Sequence, residues 1–271
     1  MPELPEVETT RRGLAPVLRG RTITRVVVRE RRLRWRLPAG LESALEGRRV
    51  RAVARRAKYL LIATDRGTLI VHLGMSGSLR VVDPAEPPRP HDHVDLVLSS
   101  GRCVRFNDPR RFGSLHFVAG DPLAHPLLRA LGPEPLSAGF DAAYLYRLTR
   151  RRRVAIKQLL MNAAAVVGVG NIYASEALFR ARVRPQRAAG RLSQAECARI
   201  VTAVRRVLGA AIRVGGTTLR DYVNADGLPG YFRQKLYVYE RAGRPCRVCG
   251  TPVRQMVQGQ RSTYWCPSCQ R

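Results

Sequence analysis

Met1-Pro2-Glu3-Leu4-Pro5-Glu6-Val7-Glu8-Thr9 opens the chain. Two prolines and three glutamates head a sequence that is otherwise strongly basic. Pro5 suits the first position of a helix, and Glu6 and Glu8 suit its first turn, where the dipole favours negative charge. The spacing predicts a helix to about Leu18. The same residues allow a second use. Loss of Met1, which a small second residue favours, leaves Pro2 with a secondary amine. Such an amine attacks an aldehyde-like carbon and gives an iminium that is cationic without a further proton. With Met1 attached, the nitrogen is a tertiary amide and attacks nothing. Taken alone, the stretch permits both a plain helix start and a nucleophile.

Outward from the helix the period changes. Residues 22–29, 50–57, 59–63, 68–73, 79–83, 94–99, 104–107 and 115–118 are short, β-branched, partly alternating runs punctuated by Gly, Pro and Asp. They predict an antiparallel sandwich or barrel. Near Asp121-Pro122 the pattern becomes helical, with helices expected over 125–131, 142–150, 154–163 and 171–182. Ser193-Gln194-Ala195-Glu196 is a capping box for a long helix to about Val214. Its apolar face carries Ile200, Val201, Val204, Val207, Leu208 and Ala211. Cys103 and Cys197 read as core residues. The chain is therefore α+β, with a domain boundary near 120–140.

The charge narrows the partner. Lys+Arg is 48 against Asp+Glu 20, a formal +28. So large an excess on a chain that is 45% hydrophobic implies a polyanion, nucleic acid before a membrane surface. No apolar run approaches the roughly 18 residues of a spanning helix, and no secretory signal precedes the acidic start. Between Arg19 and Lys58 stand 14 basic residues and three acids, a face suited to phosphates or simply a solvated one. Only three lysines, Lys58, Lys157 and Lys235, survive among the arginines. Such positions are candidates for a compact amine that titrates, which Arg cannot supply.

Four cysteines carry the most specific spacing: Cys246-x2-Cys249-x16-Cys266-x2-Cys269. Each pair bends tightly enough to put two thiolates on one metal, and two pairs complete a tetrahedral structural zinc site. Two disulfides are the alternative, disfavoured without a secretory signal. A closed four-thiolate site leaves no place for catalytic water, so the metal holds a small β-ribbon with Gln260-Arg261-Ser262-Thr263 on its turn. Two other segments suit nucleic acid. Val167-Gly168-Val169-Gly170-Asn171 is a Gly-rich entry to a helix, with Asn171 as N-cap, and offers backbone amides to phosphate; a plain helix corner is the other reading. Asp108-Pro109-Arg110-Arg111-Phe112-Gly113 exposes cations and an aromatic. With Met75 in Gly74-Met75-Ser76-Gly77 it supplies apolar wedges for a disturbed base stack, or ordinary turn residues.

Together these residues resemble the bacterial formamidopyrimidine-DNA glycosylase (Fpg) family of bifunctional base-excision repair enzymes. The resemblance runs through MPELPEVET, HLGMSG, HDHVDLVL, DPRRFG, GVGNIYASEALF, GTTLRDYVNADG and the final QRSTYWC of the finger. It implies an N-terminal β-sandwich with its leading helix (1–120), a helical DNA-binding domain with a helix-two-turn-helix (121–236) and a zinc finger (237–271), with DNA lying between the first two. It implies that Pro2 is the nucleophile at C1′, Glu3 the acid/base partner, Lys58 the acid/base of β-elimination and Arg261 the proton donor of δ-elimination. Met75, Arg110 and Phe112 look like the residues that fill the gap left by a flipped base. His91, Arg110, Arg152, Lys157 and Asn171 look like DNA contacts. Glu6, Thr217, Thr218 and Tyr222 look like the surroundings of the everted lesion. The implied partner is double-stranded DNA with oxidised purines or abasic sites, the implied cofactor one structural zinc, and the implied setting a monomer in the bacterial cytoplasm. Two rivals stand beside this one: the endonuclease VIII-like branch, which prefers oxidised pyrimidines, and a non-catalytic zinc-ribbon DNA-binding protein.

Overall fold

The computed structural model describes residues 2–216 and 236–271. It divides into two compact units, one of residues 2–129 with 214–216 and one of residues 130–213 with 236–271.

The first unit begins with helix α1 (Leu4–Leu18). Pro5 lies in its first turn and Glu3 caps it. Glu3 and Glu6 form a capping box, in which the Glu3 amide donates to Glu6 Oε2 at 2.7 Å. Leu4, Val7, Leu14 and Leu18 recur at helical spacing and are buried. Eight strands follow: β1 (Ile23–Val28), β2 (Val50–Arg56), β3 (Tyr59–Thr64), β4 (Thr68–His72), β5 (Ser78–Val82), β6 (Asp92–Leu98), β7 (Cys103–Asn107) and β8 (Ser114–Val118), with a short helix α2 (Leu41–Leu45) after β1. They form two antiparallel four-stranded sheets, ordered β1-β6-β7-β5 and β2-β3-β4-β8. Ile23, Val50, Leu60, Ile62, Leu69, Val71, Leu96, Val104, Phe106 and Leu115 from both sheets share one core with α1. The choice between sandwich and barrel is thus settled as a sandwich.

Register decides where the loops emerge. In one sheet Tyr59, His72 and Ser114 lie opposite one another. In the other, Ser78, Asn107 and Asp92 do the same. The turn before Tyr59, the loop 73–77, the turn 108–113 and His91 therefore all leave from these two rows.

The second unit is helical, with α3 (Ala142–Thr149), α4 (Ile156–Met161), α5 (Asn171–Ala181) and α6 (Gln194–Arg213). A single 3-10 turn, Ala189–Arg191, lies between α5 and α6. Ser193 and Glu196 form the expected box: Glu196 N donates to Ser193 Oγ (3.2 Å) and Ser193 N to Glu196 Oε2 (2.9 Å). Strands β9 (Arg254–Gln258) and β10 (Arg261–Trp265) form the ribbon near the C-terminus, and β10 packs on α5. Among the described residues no helix is long and apolar enough to cross a membrane.

The helix expected over 125–131 does not form. Asp121 caps a 3-10 turn, Pro122–Ala124, and only turns follow. The run between Pro126 and the Gly132-Pro133 pair is too short to repay helix nucleation, and a residue before proline avoids the helical region. The helix expected over 154–163 is shorter, Ile156–Met161. Asn171 is the first helical residue rather than the cap, which is the extended Gly170. The ribbon turn holds only Gly259 and Gln260, since Arg261 already pairs with Gln258 and Ser262 and Thr263 lie within β10.

Candidate functional site

In the first unit, Pro2, Glu3 and Glu6 are buried at the start of α1. Gly216, the last described residue before 217, has φ +82°, and a Cβ there would lie 2.9 Å from Glu6 Oε1. Only glycine lets the chain pass so close to that carboxylate in this conformation. Thr217, Thr218 and Tyr222, expected around a lesion, lie outside the described residues. Glu8, one turn into the helix, accepts from Arg11 (2.9 Å), Arg12 (2.9 Å) and Arg55 (3.2 Å). Burial would raise its carboxyl, but the hydrogen bonds from Arg11 and Arg12 outweigh that and hold it below the usual carboxylate range.

Lys58 sits on the two-residue turn between β2 and β3, after Ala57 in the left-handed region at φ 55°. Arg55 donates to the Ala57 carbonyl at 2.8 Å and holds that turn. Across the register, Tyr59 and His72 rings lie 4.8 Å apart. His72 is driven down to about 4 by burial, then by the charges of Lys58 and Arg34. It is neutral at neutral pH, and its Nδ1 accepts the Gly74 amide at 3.1 Å. At neutral pH the imidazole therefore adds no positive charge beside Lys58.

Gly74 then leads to Met75. A Cβ on Gly74, at φ +63°, would fall 2.4 Å from the Phe112 carbonyl carbon. The backbones of the 73–77 loop and the 108–113 turn thus touch, and they present Met75 (36% exposed) and Phe112 (44% exposed) as neighbours. Exposed large apolar side chains on tight, glycine-backed loops have no core to serve. Arg110 and His91 are exposed on the same set of loops. Arg111 turns away to pair with Glu30 at 3.0 Å.

The second unit holds the other expected residues. Arg152 is exposed after α3. Lys157 is buried, and its ammonium donates to Asn171 Oδ1 (2.6 Å), Thr263 Oγ1 (2.7 Å) and the Ser262 carbonyl (3.1 Å). Asn171 Nδ2 also donates to the Ser262 carbonyl at 3.0 Å. Both residues therefore hold β10, whose first residue, Arg261, is exposed. Sequence reasoning overlooked Glu176. It is buried, and its carboxylate accepts the amides of Tyr237 (2.9 Å), Val238 (2.9 Å) and Tyr239 (3.0 Å). Burial pushes the carboxyl up against the opposing pull of those amides. A lone acid inside the apolar run 172–179 was the available signal. Gln270, also overlooked, is buried between Cys266 N (2.9 Å) and the Val183 carbonyl (2.8 Å).

The four ribbon cysteines carry no disulfide, and their Sγ atoms all lie within 4.8 Å of one another. Cys246–Cys269 and Cys249–Cys266 are 3.9 and 3.5 Å apart. Tetrahedral thiolates at a zinc–sulfur distance of about 2.3 Å stand roughly 3.8 Å apart, so the donor set fits one zinc ion. Val248 N and Cys269 N point at Cys246 Sγ and Cys266 Sγ, at 3.5 and 3.4 Å, as suits anionic sulfur.

Comparison with known proteins follows the same divisions. Family models describe residues 1–115 as a formamidopyrimidine-DNA glycosylase N-terminal domain, 131–223 as the H2TH domain of the same glycosylase, and 243–271 as a zinc finger found in FPG and IleRS. The chain is 64% identical to the formamidopyrimidine-DNA glycosylase of Thioalkalivibrio sulfidiphilus, over the whole of both chains. Among solved structures it is similar to the MutM (Fpg) protein of Thermus thermophilus, at 45% identity and TM-score 0.88, covering 99% of this chain and 98% of that one. It is also similar in shape to Lactococcus lactis Fpg bound to abasic-site DNA and to a mutant of that protein bound to Fapy-dG DNA. Both are 30% identical over the whole of each chain, with TM-scores of 0.92 and 0.93. With its sandwich, helical unit and four-cysteine finger each matched in order, the chain belongs to the formamidopyrimidine-DNA glycosylase family.

Proposed function

We propose that the protein excises oxidised purines, 8-oxoguanine and formamidopyrimidines, from double-stranded DNA and then cuts the strand at the resulting abasic site. The observation that carries this reading is the buried Pro2-Glu3 pair at the start of α1, in a chain whose relatives in crystals hold Fapy-dG and abasic-site DNA. A base inside a duplex hides its C1′, so the nucleotide leaves the stack first. Met75, Phe112 and Arg110 fill the gap, with Arg110 facing the orphaned cytosine. His91, Arg110, Arg152, Lys157 and Asn171 contact the DNA, and the bonds of Lys157 and Asn171 to β10 also hold the strand that begins with Arg261.

The chemistry follows from a free Pro2 amine. Its lone pair forms a bond to C1′, the bond from C1′ to the base breaks, and the base departs. Glu3 protonates the sugar oxygen as the ring opens and an iminium remains. That electron sink acidifies the C2′ proton. Its removal, with Lys58 as acid/base, expels the 3′ phosphate by cleavage of the C3′–O bond. A second elimination, with Arg261 as proton donor, expels the 5′ phosphate. Glu6, Thr217, Thr218 and Tyr222 surround the everted base. Zinc holds the finger that carries Arg261 and takes no part in these steps. The setting is the bacterial cytoplasm, where the chromosome lies, and one chain serves one lesion as a monomer.

The test is a comparison of excision from duplexes carrying 8-oxoguanine opposite cytosine or an oxidised pyrimidine. Faster release of 8-oxoguanine is expected. Preference for the pyrimidine would move the protein to the endonuclease VIII-like reading. Arg261→Ala separates the last step: it should leave β-elimination in place and stop the loss of the 5′ phosphate.

A further inference from the structure

Asp108 heads the turn that carries Arg110 and Phe112, and its side chain is fully buried. Oδ1 accepts the Ser76 hydroxyl at 2.8 Å, and Oδ2 accepts the Gly113 amide at 2.7 Å. Its own amide donates to the His91 carbonyl at 3.0 Å, and its carbonyl accepts His93 Nε2 (2.8 Å) and the Arg111 amide (3.2 Å). Ser76 Oγ in turn accepts the Arg110 amide at 3.3 Å. The Asp108 carboxylate and the Ser76 hydroxyl thus join the loop of Met75 to the turn of Arg110 and Phe112, and the Asp108 backbone amide ties that turn to the carbonyl of His91. A turn closed only upon itself would need the bonds to Gly113 and Arg111. The bond to Ser76, 32 residues away, fixes the distance between two loops instead.

We infer that Asp108 and Ser76 are positioning residues that make Met75, Arg110 and Phe112 enter the base stack as one rigid unit. This rests on the reading of those three side chains as gap fillers. Wedges on independent loops would be ordered only on insertion, and that ordering would oppose eversion of the lesion. The buried carboxylate does the ordering during folding. Its acceptor oxygens face two donors, and a carboxamide presents an amide group to one of them.

The test uses the full-length protein with Ser76→Ala, Asp108→Asn and the double variant Met75→Ala with Phe112→Ala. One substrate is a duplex with 8-oxoguanine opposite cytosine. The other is a single-stranded oligonucleotide with an abasic site, which has no opposite strand and no duplex stack to fill. Ser76→Ala and Asp108→Asn should lower kcat/KM on the duplex by about tenfold, the loss of about one hydrogen bond, and leave single-strand cleavage within about twofold. Equal losses on both substrates would reduce the pair to ordinary fold support and overturn the inference. Unchanged duplex excision in both single variants, with the double variant impaired, would overturn it while leaving the gap-filling reading intact. A double variant with normal duplex excision would overturn that reading and the inference with it.

Discussion

Lys157 Nζ lies 2.7 Å from Thr263 Oγ1, although 106 residues separate them in the chain. The bond joins the start of α4 to β10, and the same ammonium reaches Asn171 at the start of α5. A buried ammonium with three acceptors stabilises only while all of them are in place. Lys157→Met takes the ammonium away from Asn171 Oδ1 and Thr263 Oγ1, while the Ser262 carbonyl keeps its bond from Asn171 Nδ2. It should cost about 2–4 kcal/mol and lower the melting temperature by about 5–10 °C, measured by calorimetry on zinc-loaded protein. A change below about 1 °C would show that the bond network is incidental.

Zinc removal should be more severe. The ribbon of β9 and β10 is a two-stranded hairpin, which has little stability alone. Its core is small: Phe179, Val238, Val253, Tyr264, Cys246 and Cys266. The expected content is one zinc per chain, and Cys266→Ser should abolish it by elemental analysis. Chelation should release the finger and strand cleavage should fall with it. Retention of full activity after the metal has gone would separate the finger from the chemistry.

His72 predicts a pH dependence. Its folded value, about 4, lies below the 6.5 of an ordinary imidazole, so the unfolded chain binds the proton more readily. The stabilisation is fully present above about pH 6.5 and is lost as pH falls toward 4. Its size is on the order of 3 kcal/mol. His72→Gln should therefore flatten the melting temperature against pH over that window relative to the parent protein. Parallel curves for the two proteins would mean that His72 binds its proton equally well in the folded and the unfolded chain.

Binding to DNA should be strongly salt-dependent, because a chain of charge +28 releases counterions from the phosphates it meets. Arg152→Ala removes one exposed cation outside the sandwich. It should weaken binding to all duplexes alike and reduce the slope of log affinity against log salt by about 1. A loss confined to lesion-bearing duplex would give Arg152 a reading role instead of a phosphate contact.

Much of this was legible in the residues, and the gaps have physical causes. The strands were readable because β-branched runs alternate between Gly, Pro and Asp. The metal site was readable because two close cysteine pairs at this spacing match a four-thiolate zinc site. The failed helix at 125–131 had the apolar content of a helix but lacked the length between its prolines. Lys157 read as a candidate titrating amine and DNA contact, and only the tertiary structure shows its ammonium bonded to β10, since burial of a charge depends on partners more than 100 residues away. Asp108 and Glu176 were hidden for the same reason. Each is an acid whose partners come from distant segments, and no local pattern records that.

If Pro2 is the nucleophile, borohydride reduces its iminium to a stable bond between protein and DNA. The protein, with loss of Met1 verified by intact mass, is mixed with a duplex carrying 8-oxoguanine opposite cytosine and reduced with borohydride, and the products are run on a denaturing gel. The expected product is a covalent protein–DNA adduct that maps to the N-terminal peptide and disappears in Pro2→Gly. An adduct of undiminished yield in Pro2→Gly, or active protein that retains Met1, would contradict that role for Pro2.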